Sequence, residues 1–311
     1  MKILIIANAY PNEQQPYFGI YIKEQFEYLR DHYDMDVDLF VLKGKSSFQK
    51  YCNPIALYRK IKEFDPDIIH IHFGLSGLPL LLISPFIKRR KVIATYHGSD
   101  INGSKTVFSI SKMLIRYADI NIAVSQQIFE KIKPISKNTK WIPCGIDDLF
   151  LDDQEPVERK NVIIFPGSPA RVVKNYPLFE KMLHLLNAKY GLDPEVILFD
   201  SKSREEVKNA LLEAKCLVMT SLSEGSPQVI KEAIACDIPI VSTPVGDVPY
   251  LIEKLDNCYI AQSAEELAQK VSMVFAADHQ GYPVERKRSL SNAFLCGQIV
   301  ELYRELLGKD K

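Results

Sequence analysis

The sequence predicts an α/β protein with two Rossmann-like, doubly wound domains that face each other across a cleft. Continuous apolar runs alternate with segments of helical periodicity along most of the 311 residues. That alternation is typical of parallel sheets covered by helices on both faces. It stops at 147–160, an acidic stretch without periodicity that contains Pro156, and then resumes. We therefore expect a first domain at 1–150, a second domain at 151–285, and a helical tail at 286–311.

Apolar runs rich in Ile, Val and Leu mark the strands of the first domain. The segments between these runs have apolar residues at helical spacing, which predicts helices that cover the sheet. The predicted strands are 3–7, 37–41, 68–72, 92–96, 120–124 and a shorter one near 141–142. The predicted helices are 20–32, 54–64, 78–87, 106–117 and 126–133.

The second domain repeats this alternation. The predicted strands are 162–166, 196–199, 216–220, 238–242 and 258–260, and the predicted helices are 176–190, 204–214, 226–236, 248–255 and 264–275. The last segment, 285–307, has the spacing of one amphipathic helix and is not followed by a strand. Ligands of such sheets bind beyond the carboxyl ends of the strands, so the loops at those ends are the candidate sites.

The composition argues against several classes of protein. Lys and Arg number 39, as do Asp and Glu, so bulk charge does not favour nucleic-acid binding. The six cysteines are scattered without a CxxC pair, which argues against a zinc ribbon or a thioredoxin-type site. Cys216 and Cys236 lie in apolar runs and favour buried thiols in a reducing cytosol. The run at 1–7 is too short for a signal peptide and predicts a strand.

The stretch 78–87 is the longest apolar segment, and four cations follow it at 88–91. Its length and its two prolines argue against a membrane span. We interpret it as a core helix with a solvated basic end. Peripheral contact with anionic lipid on the inner face of the cell membrane is the alternative, which a lipid-linked acceptor would favour.

The stretch 221–232 carries the clearest local signal for a site. It follows a buried apolar run and opens a helix, for which Ser226 suits the N-cap and Pro227 the first helical position. Gly225 lets the backbone turn closely around a ligand. A helix start at a strand end offers free N–H groups and positive dipole to a phosphate. Glu224 stands before this helix and Glu232 two turns into it.

Three further loops follow predicted strands. The loop before the first helix ends in Gly19, and it is either a ligand-facing loop or an ordinary turn. The loop at 166–175 contains Arg171 and Lys174, a pair of cations suited to clamp a leaving diphosphate. The loop at 242–247 contains Gly246 and offers small residues and amides to a phosphate or a sugar hydroxyl.

Three histidines lie near the ends of two predicted strands. His70 and His72 share one face of their strand, and His97 ends the next strand along the chain. Three such imidazoles could bind zinc, but no HExxH pattern accompanies them. We expect His70 and His72 to be packed or hydrogen-bonded in the core, and His97 to act alone beside Gly98.

These motifs together resemble the retaining glycosyltransferases of the GT-B fold, family 4, also called glycosyltransferase group 1. Glu224 to Glu232 matches the E-x7-E motif of that family, and 97–100 is similar to the His-Gly motif of its first domain. The segment 143–147 is similar to its P-N-G-[VI]-D hinge, with Cys144 in place of Asn. The resemblance is closest to enzymes of teichuronic-acid and capsular polysaccharide synthesis.

The resemblance implies a hexosyltransferase that moves a sugar from a nucleotide-diphosphate sugar, a UDP-sugar by family weight, to a hydroxyl of a saccharide or lipid-linked acceptor. It implies retention of configuration, no metal, no cofactor, a cytoplasmic location, and a C-terminal helix that crosses back to the first domain. The implied catalytic residues are His97, Glu224, Arg171 and Lys174. The implied donor-binding residues are Gly19, Gly225, Ser226, Pro227, Glu232 and Gly246.

Three other functions stay open at this point. A GT-B-shaped sugar-nucleotide epimerase would bind the same donor and need no acceptor. A zinc hydrolase would use His70, His72 and His97. A non-catalytic subunit would keep only the fold, although the presence of both glutamates and both cations argues against it.

Overall fold

The computed structural model describes residues 1–13, 15, 17–44, 46–152 and 157–308, without the side chains of 47 and 48. The chain divides into two compact units. The first unit comprises Met1–Gly145 together with the segment from Asn292 onward, and the second comprises Ile146–Ser291. The chain thus passes from one unit to the other at 145/146 and returns at 291/292.

The first unit contains a parallel sheet with the strand order β2-β1-β3-β4-β5-β6 among the described residues. Its strands are β1 (Lys2–Ala7), β2 (Asp36–Val41), β3 (Ile68–His72), β4 (Lys91–Tyr96), β5 (Ile120–Ala123) and β6 (Thr139–Trp141). Its helices up to the crossing are α1 (Ile20–His32), α2 (Ser47–Tyr51), α3 (Pro54–Phe64), α4 (Leu78–Ile83), α5 (Ser99–Asn102), α6 (Lys105–Tyr117) and α7 (Gln126–Ile132).

The second unit contains a parallel sheet with the order β11-β10-β9-β7-β8 over the residues that the structure describes. Its strands are β7 (Lys160–Phe165), β8 (Glu195–Leu198), β9 (Ala214–Met219), β10 (Ile240–Ser242) and β11 (Tyr259–Ile260). Its helices are α8 (Tyr176–Tyr190), α9 (Arg204–Glu213), α10 (Gln228–Ala235), α11 (Val248–Leu251), α12 (Ala264–Ala276) and α13 (Val284–Arg288). The last helix, α14 (Asn292–Leu306), belongs to the first unit.

Each sheet is buried on both faces, as the continuous apolar strands require. In the first unit, α3, α4, α6 and α7 pack on one face of the sheet. Helices α1 and α14 pack on the other face, where Tyr303 of α14 is fully buried. In the second unit, α9, α10 and α11 cover one face, and α8 and α12 cover the other. Polar side chains, which need hydrogen-bond partners when buried, therefore lie mainly at the strand ends.

The α/β class with two parallel-sheet units is confirmed, and two predicted helices are divided. The segment predicted at 78–87 is α-helical only to Ile83, and a 3-10 turn, Ser84–Phe86, follows. Pro85 causes the change, because it has no N–H for the α-helical hydrogen bond to the carbonyl four residues earlier.

The tail predicted as one helix at 285–307 forms α13 and α14 with a break at 289–291. At this break the N–H of Ile146 donates to the carbonyl of Leu290 at 3.0 Å. Ile146 and Phe150 are both fully buried in the core of the second unit. The units divide at 145/146, five residues before the boundary expected from composition.

Searching the described residues, we find no helix long and apolar enough to cross a membrane.

Candidate active site

The second unit brings two loops together by direct backbone contact beyond β9 and β10. The N–H of Asp247 donates to the carbonyl of Gly225 at 3.0 Å. Gly246 has a φ of 53°, and a Cβ added to it would lie 2.2 Å from the same carbonyl oxygen. Only glycine allows this approach, so Gly246 supports the turn that carries Glu224.

Helix α10 begins two residues later than predicted. Gln228 is its first residue, and Pro227 is the N-cap, with an extended ψ of 123° and no side-chain cap hydrogen bond. Ser226 therefore does not cap the helix, and Pro227 is not its first helical residue. Instead, the hydroxyl of Ser226 lies 3.5 Å from the ammonium of Lys231, which is fully buried. The first helical residue must have helical φ and ψ. Pro227 has an extended ψ and therefore lies before the helix.

Lys174 and Glu224 form an ion pair at the ends of two neighbouring strands. Lys174 Nζ donates to Glu224 Oε1 at 2.7 Å, and the Ser221 hydroxyl donates to the same oxygen at 2.9 Å. The side chains are 10% and 19% exposed, so solvent screens this pair less than a surface pair. The Thr220 hydroxyl donates to the carbonyl of Lys174 at 3.0 Å and fixes its backbone. The sequence analysis did not identify Thr220 or Ser221. The contact of Thr220 with Lys174 is long-range, and the contact of Ser221 with Glu224 depends on the turn between them.

Glu232 of α10 forms a second ion pair, with Arg204 at the start of α9. Its Oε1 accepts from Arg204 Nη2 at 2.8 Å, and the Glu232 side chain is only 3% exposed. The guanidinium of Arg204 also lies over the ring of Phe150, 4.6 Å from the centroid. The sequence analysis missed Arg204. The capping box from Ser203 to Glu206 is the local signal that places Arg204 as the first residue of α9.

Arg171 is placed differently from Lys174, although three residues separate them. It precedes a 3-10 turn, Val172–Lys174, and its carbonyl accepts the N–H of Lys174 at 2.8 Å. Its side chain is exposed, and within the described residues it has neither a hydrogen bond nor an ion pair. The two cations of this loop thus differ in state: Lys174 is paired and buried, and Arg171 is solvated.

In the first unit, Gly19 has a structural role of its own. Its φ is 76°, and a Cβ added there would lie 2.5 Å from the carbonyl carbon of Ala9. The glycine lets the chain after β1 pass directly against the start of α1.

Asp100 organises the turn that carries His97. Its buried carboxylate accepts from the backbone N–H groups of Gly74 at 3.0 Å, of His97 at 3.1 Å and of Gly98 at 2.8 Å. Burial raises the pKa of Asp100, and these backbone hydrogen bonds oppose that effect. The carboxylate therefore serves as an anchor for the His-Gly turn.

His97 does not act alone, which corrects our expectation. Its Nε2 lies 3.1 Å from Nδ1 of His72, and its Nδ1 lies 3.8 Å from the sulfur of Cys144. Its ring also contacts that of Tyr21, with 4.8 Å between the centroids. His72 is fully buried, and burial lowers its pKa to about 3. It is thus neutral at physiological pH.

The expectation that His70 and His72 are hydrogen-bonded in the core is confirmed. His70 Nδ1 lies 2.6 Å from the Tyr303 hydroxyl, and His70 Nε2 lies 2.8 Å from the Thr95 hydroxyl. Both nitrogens of His70 are thereby occupied within the protein. Over the described ranges, no group of three or more His, Cys, Asp or Glu side chains could hold a metal ion. The zinc hydrolase consequently lacks its ligand set there.

Two domain families match this chain and together cover most of it. The Glycosyltransferase Family 4 domain matches residues 10–148, and the Glycosyl transferases group 1 domain matches residues 158–288. The matches fall on the two parallel-sheet units, which is the architecture of GT-B glycosyltransferases. The chain therefore belongs to the glycosyltransferases that combine a Glycosyltransferase Family 4 domain with a Glycosyl transferases group 1 domain, and it is a sugar-transferring enzyme.

Relatives of known designation agree with this assignment. The chain is 26% identical over 265 residues to the putative teichuronic acid biosynthesis glycosyltransferase TuaC of Bacillus subtilis, covering 74% of this chain and 67% of TuaC. It is 24% identical over 317 residues to N-acetyl-alpha-D-glucosaminyl L-malate synthase of Bacillus anthracis, covering 86% and 83% of the two chains.

Solved structures share the fold at low sequence identity. Sucrose-phosphate synthase of Thermosynechococcus elongatus is similar with a TM-score of 0.78 and 16% identity, over 100% of both chains. The Anabaena protein Alr3699/HepE, in complex with UDP and glucose, is similar with a TM-score of 0.71 and 17% identity, over 98% and 100% of the two chains.

We predict that Gly246→Ala weakens nucleotide binding as well as stability. The added Cβ has no room beside the Gly225 carbonyl, 2.2 Å away, so the turn before α10 must move. We expect a loss of donor affinity of about tenfold or more, equivalent to about 1.4 kcal/mol. Isothermal titration with UDP and thermal unfolding measure the two effects.

Gly191→Ala is the matched control for this variant. Gly191 has a similar φ of 65°, but a Cβ there meets nothing within 4 Å. It should lose about 1 kcal/mol of stability from backbone strain alone and keep its affinity. Equal affinity of both variants for UDP would show that the contact with Gly225 does not shape the site.

Proposed function

We propose that this enzyme transfers a sugar from a UDP-sugar to a hydroxyl of a saccharide or lipid-linked acceptor, with retention of configuration, in the synthesis of a cell-surface polysaccharide. The observation that carries the proposal is the pairing of Glu224 with Lys174 and of Glu232 with Arg204 around one turn and one helix. The Anabaena protein of similar fold was solved with UDP and glucose. Relatives are named for the synthesis of teichuronic acid, colanic acid and amylovoran.

In this proposal Glu232 accepts hydrogen bonds from the ribose hydroxyls of the donor. Arg204 holds Oε1 at 2.8 Å and orients the carboxylate, so that Oε2 is left for the ribose. A carboxylate suits a vicinal diol because it only accepts, and both hydroxyls donate. Burial strengthens such hydrogen bonds, since little water competes for them.

Glu224 binds the transferred sugar, and Lys174 binds the diphosphate. Glu224 accepts from hydroxyls of the transferred sugar, and Lys174 shares its ammonium between Glu224 and the diphosphate. Arg171 is exposed, and its guanidinium supplies a second cation to the same anion. The backbone amides from Gly225 into α10 add the partial positive charge of a helix start.

These groups stabilise the charge that develops on the leaving diphosphate. The bond between the anomeric carbon and the diphosphate oxygen breaks, and a bond to the acceptor oxygen forms on the same face. An oxocarbenium-like state lies between them. The acceptor hydroxyl gives its proton to an oxygen of the departing phosphate. Cationic side chains and helix amides meet the demand for electrostatic stabilisation, so the proposal needs neither a metal nor a cofactor.

Five further residues have roles in this proposal. His97, in the first unit, contacts a hydroxyl of a sugar. Gly246 keeps the Glu224 turn in place, and Gly19, in the first unit, lets backbone amides of the loop before α1 face a ligand. Ser226 and Pro227 lie between Gly225 and α10, where the chain must lie close to the diphosphate.

We predict that Glu224→Gln lowers kcat/KM for sugar transfer by about a hundredfold or more, equivalent to about 2.7 kcal/mol. The substitution removes the negative charge that holds Lys174 at 2.7 Å and weakens the acceptor for sugar hydroxyls. Release of UDP in the presence of acceptor, with the linkage established by NMR, measures the reaction.

Glu213→Gln is the matched control for that variant. Glu213 forms an ion pair with Lys160 at 2.6 Å, but these side chains are 41% and 61% exposed and lie away from the strand ends of the site. Exposed pairs contribute about 0–1 kcal/mol, so its activity should be unchanged. Full activity in a folded Glu224→Gln variant would refute the role of Glu224.

We predict that the wild-type enzyme binds UDP about tenfold more tightly than 2′-deoxy-UDP, because Glu232 loses one ribose hydroxyl in the deoxy compound. Glu232→Gln should bind UDP more weakly and lose most of this preference. Thermal shift and isothermal titration with both nucleotides measure the difference.

Glu205→Gln controls for a charge change at the start of α9, since Glu205 is exposed beside Arg204. It should keep the preference for UDP. An unchanged preference in Glu232→Gln would place the ribose elsewhere. Incubation with a UDP-sugar alone, followed by product analysis, separates transfer from epimerisation, because an epimerase changes the sugar without an acceptor.

We further propose that one face of the first unit contacts an anionic membrane, where a lipid-linked acceptor would be met. Helices α3, α4 and α6 lie on one face of the sheet. Together with the 3-10 turn after α4 they expose several large apolar side chains, among them Ile55 (63%), Leu82 (48%), Phe86 (76%) and Met113 (55%). The segments 54–64, 78–91 and 105–117 contain ten Lys and Arg and one acid, Glu63. Apolar side chains among cations are suited to the interface of an anionic bilayer.

We predict that the double variant Leu82→Ser/Phe86→Ser binds vesicles of phosphatidylcholine and phosphatidylglycerol at least about tenfold more weakly than the wild type. Vesicle sedimentation measures the binding, and raising the salt concentration should weaken it in both proteins. Tyr190→Ser, in α8 of the second unit, removes an exposed ring from a different surface and should have no effect. Equal binding of all three proteins would exclude this face.

A further inference from the structure

We infer that His72 is a positioning residue, which holds His97 in the neutral form with its proton on Nδ1. His97 then presents an N–H donor, so the group it recognises is a hydrogen-bond acceptor, namely an oxygen of a sugar hydroxyl. The contact of His97 with the sugar rests on the function proposed above. The position of the proton rests on the geometry of the first unit alone.

The direction of the hydrogen bonds begins at Gln25. Its side-chain amide nitrogen lies 3.4 Å from Nε2 of His72, and both side chains are buried. An amide nitrogen donates and does not accept, so Nε2 of His72 is the acceptor. His72 is neutral because burial keeps its pKa low, and its single proton must therefore be on Nδ1.

The hydrogen bond between His72 and His97 then determines the tautomer of His97. Nδ1 of His72 faces Nε2 of His97 at 3.1 Å and donates to it. Nε2 of His97 then carries no proton, and the proton of the neutral ring is on Nδ1. The two rings are nearly parallel, with 19° between their planes, and Asp100 holds the backbone N–H of His97. Ring and backbone are thus both held.

The partner on the other side of the ring is weak. Nδ1 of His97 faces the sulfur of Cys144 at 3.8 Å, and a thiol is a poor acceptor. A sugar oxygen can replace this sulfur at little cost in free energy. The hinge motif that this segment resembles has Asn at that position, whose amide oxygen would compete with the sugar more strongly.

His72→Leu and His72→Asn test the inference by activity. Leu removes the hydrogen bond to His97, and Asn restores a side-chain N–H close to the position of Nδ1. We expect kcat/KM for sugar transfer to fall about tenfold in His72→Leu and to recover within about threefold of wild type in His72→Asn. In a His97→Ala background, His72→Leu should cause no further loss, since His72 acts through His97.

His70→Leu is the matched control. His70 is in the same strand and equally buried, but it bonds with Tyr303 and Thr95. It should lower the thermal stability and leave kcat/KM within about threefold of wild type. A loss of activity in His70→Leu equal to that in His72→Leu, or a further loss in the His97→Ala background, would mean that His72 only supports the core.

Long-range ¹H–¹⁵N NMR of histidine-labelled protein tests the proton position without any substrate. We expect the Nδ1–H form of His97 in the wild type, and a mixture of forms or a charged ring in His72→Leu. An Nε2–H form in the wild type would overturn the inference even if the enzyme transfers sugar. Absence of transfer from any nucleotide sugar, with the Nδ1–H form observed, would instead refute the proposed function and leave the position of the proton established.

Discussion

The structure depends on one constraint: both sheets are parallel and must be buried on both faces. The strands are therefore apolar along their length, and polar chemistry is confined to the loops after their carboxyl ends. Glu224 and Lys174 follow two adjacent strands of the second sheet, and His97 follows a strand of the first. Several buried polar side chains do lie within strands, His70 and His72 among them, and these two are hydrogen-bonded.

Apart from the exposed Arg171, the charged groups described at these strand ends are paired within the protein. Lys174 holds Glu224, Arg204 holds Glu232, and three backbone N–H groups hold Asp100. Pairing offsets the cost of partial burial and fixes each carboxylate in one orientation. The same arrangement gives each glutamate one oxygen bound to a protein cation. Donor recognition in our proposal uses the remaining acceptor capacity, which makes the cations part of the specificity.

Much of the fold could be predicted from local patterns, because each strand and helix has its own periodicity. The ends were less predictable where a distant backbone group intervened. The predicted tail helix is broken where Ile146 bonds to the carbonyl of Leu290, and α10 begins at Gln228 after the extended Pro227. The partners Arg204 and Gln25 were missed because the residues they contact, Glu232 and His72, are distant in the sequence. Ser221 was missed because its contact with Glu224 depends on how the turn between them folds.

The sequence by itself determined the class of the fold, the family, and the positions of the acids, cations and histidine that motif spacing marks. These depend on local composition and on residues close together in the chain. Only the tertiary structure decided how those groups are used: that Lys174 is paired and Arg171 exposed, and that His97 is bonded to His72 instead of acting alone. Such states depend on burial and on partners tens of residues away, which the spacing of a motif does not contain.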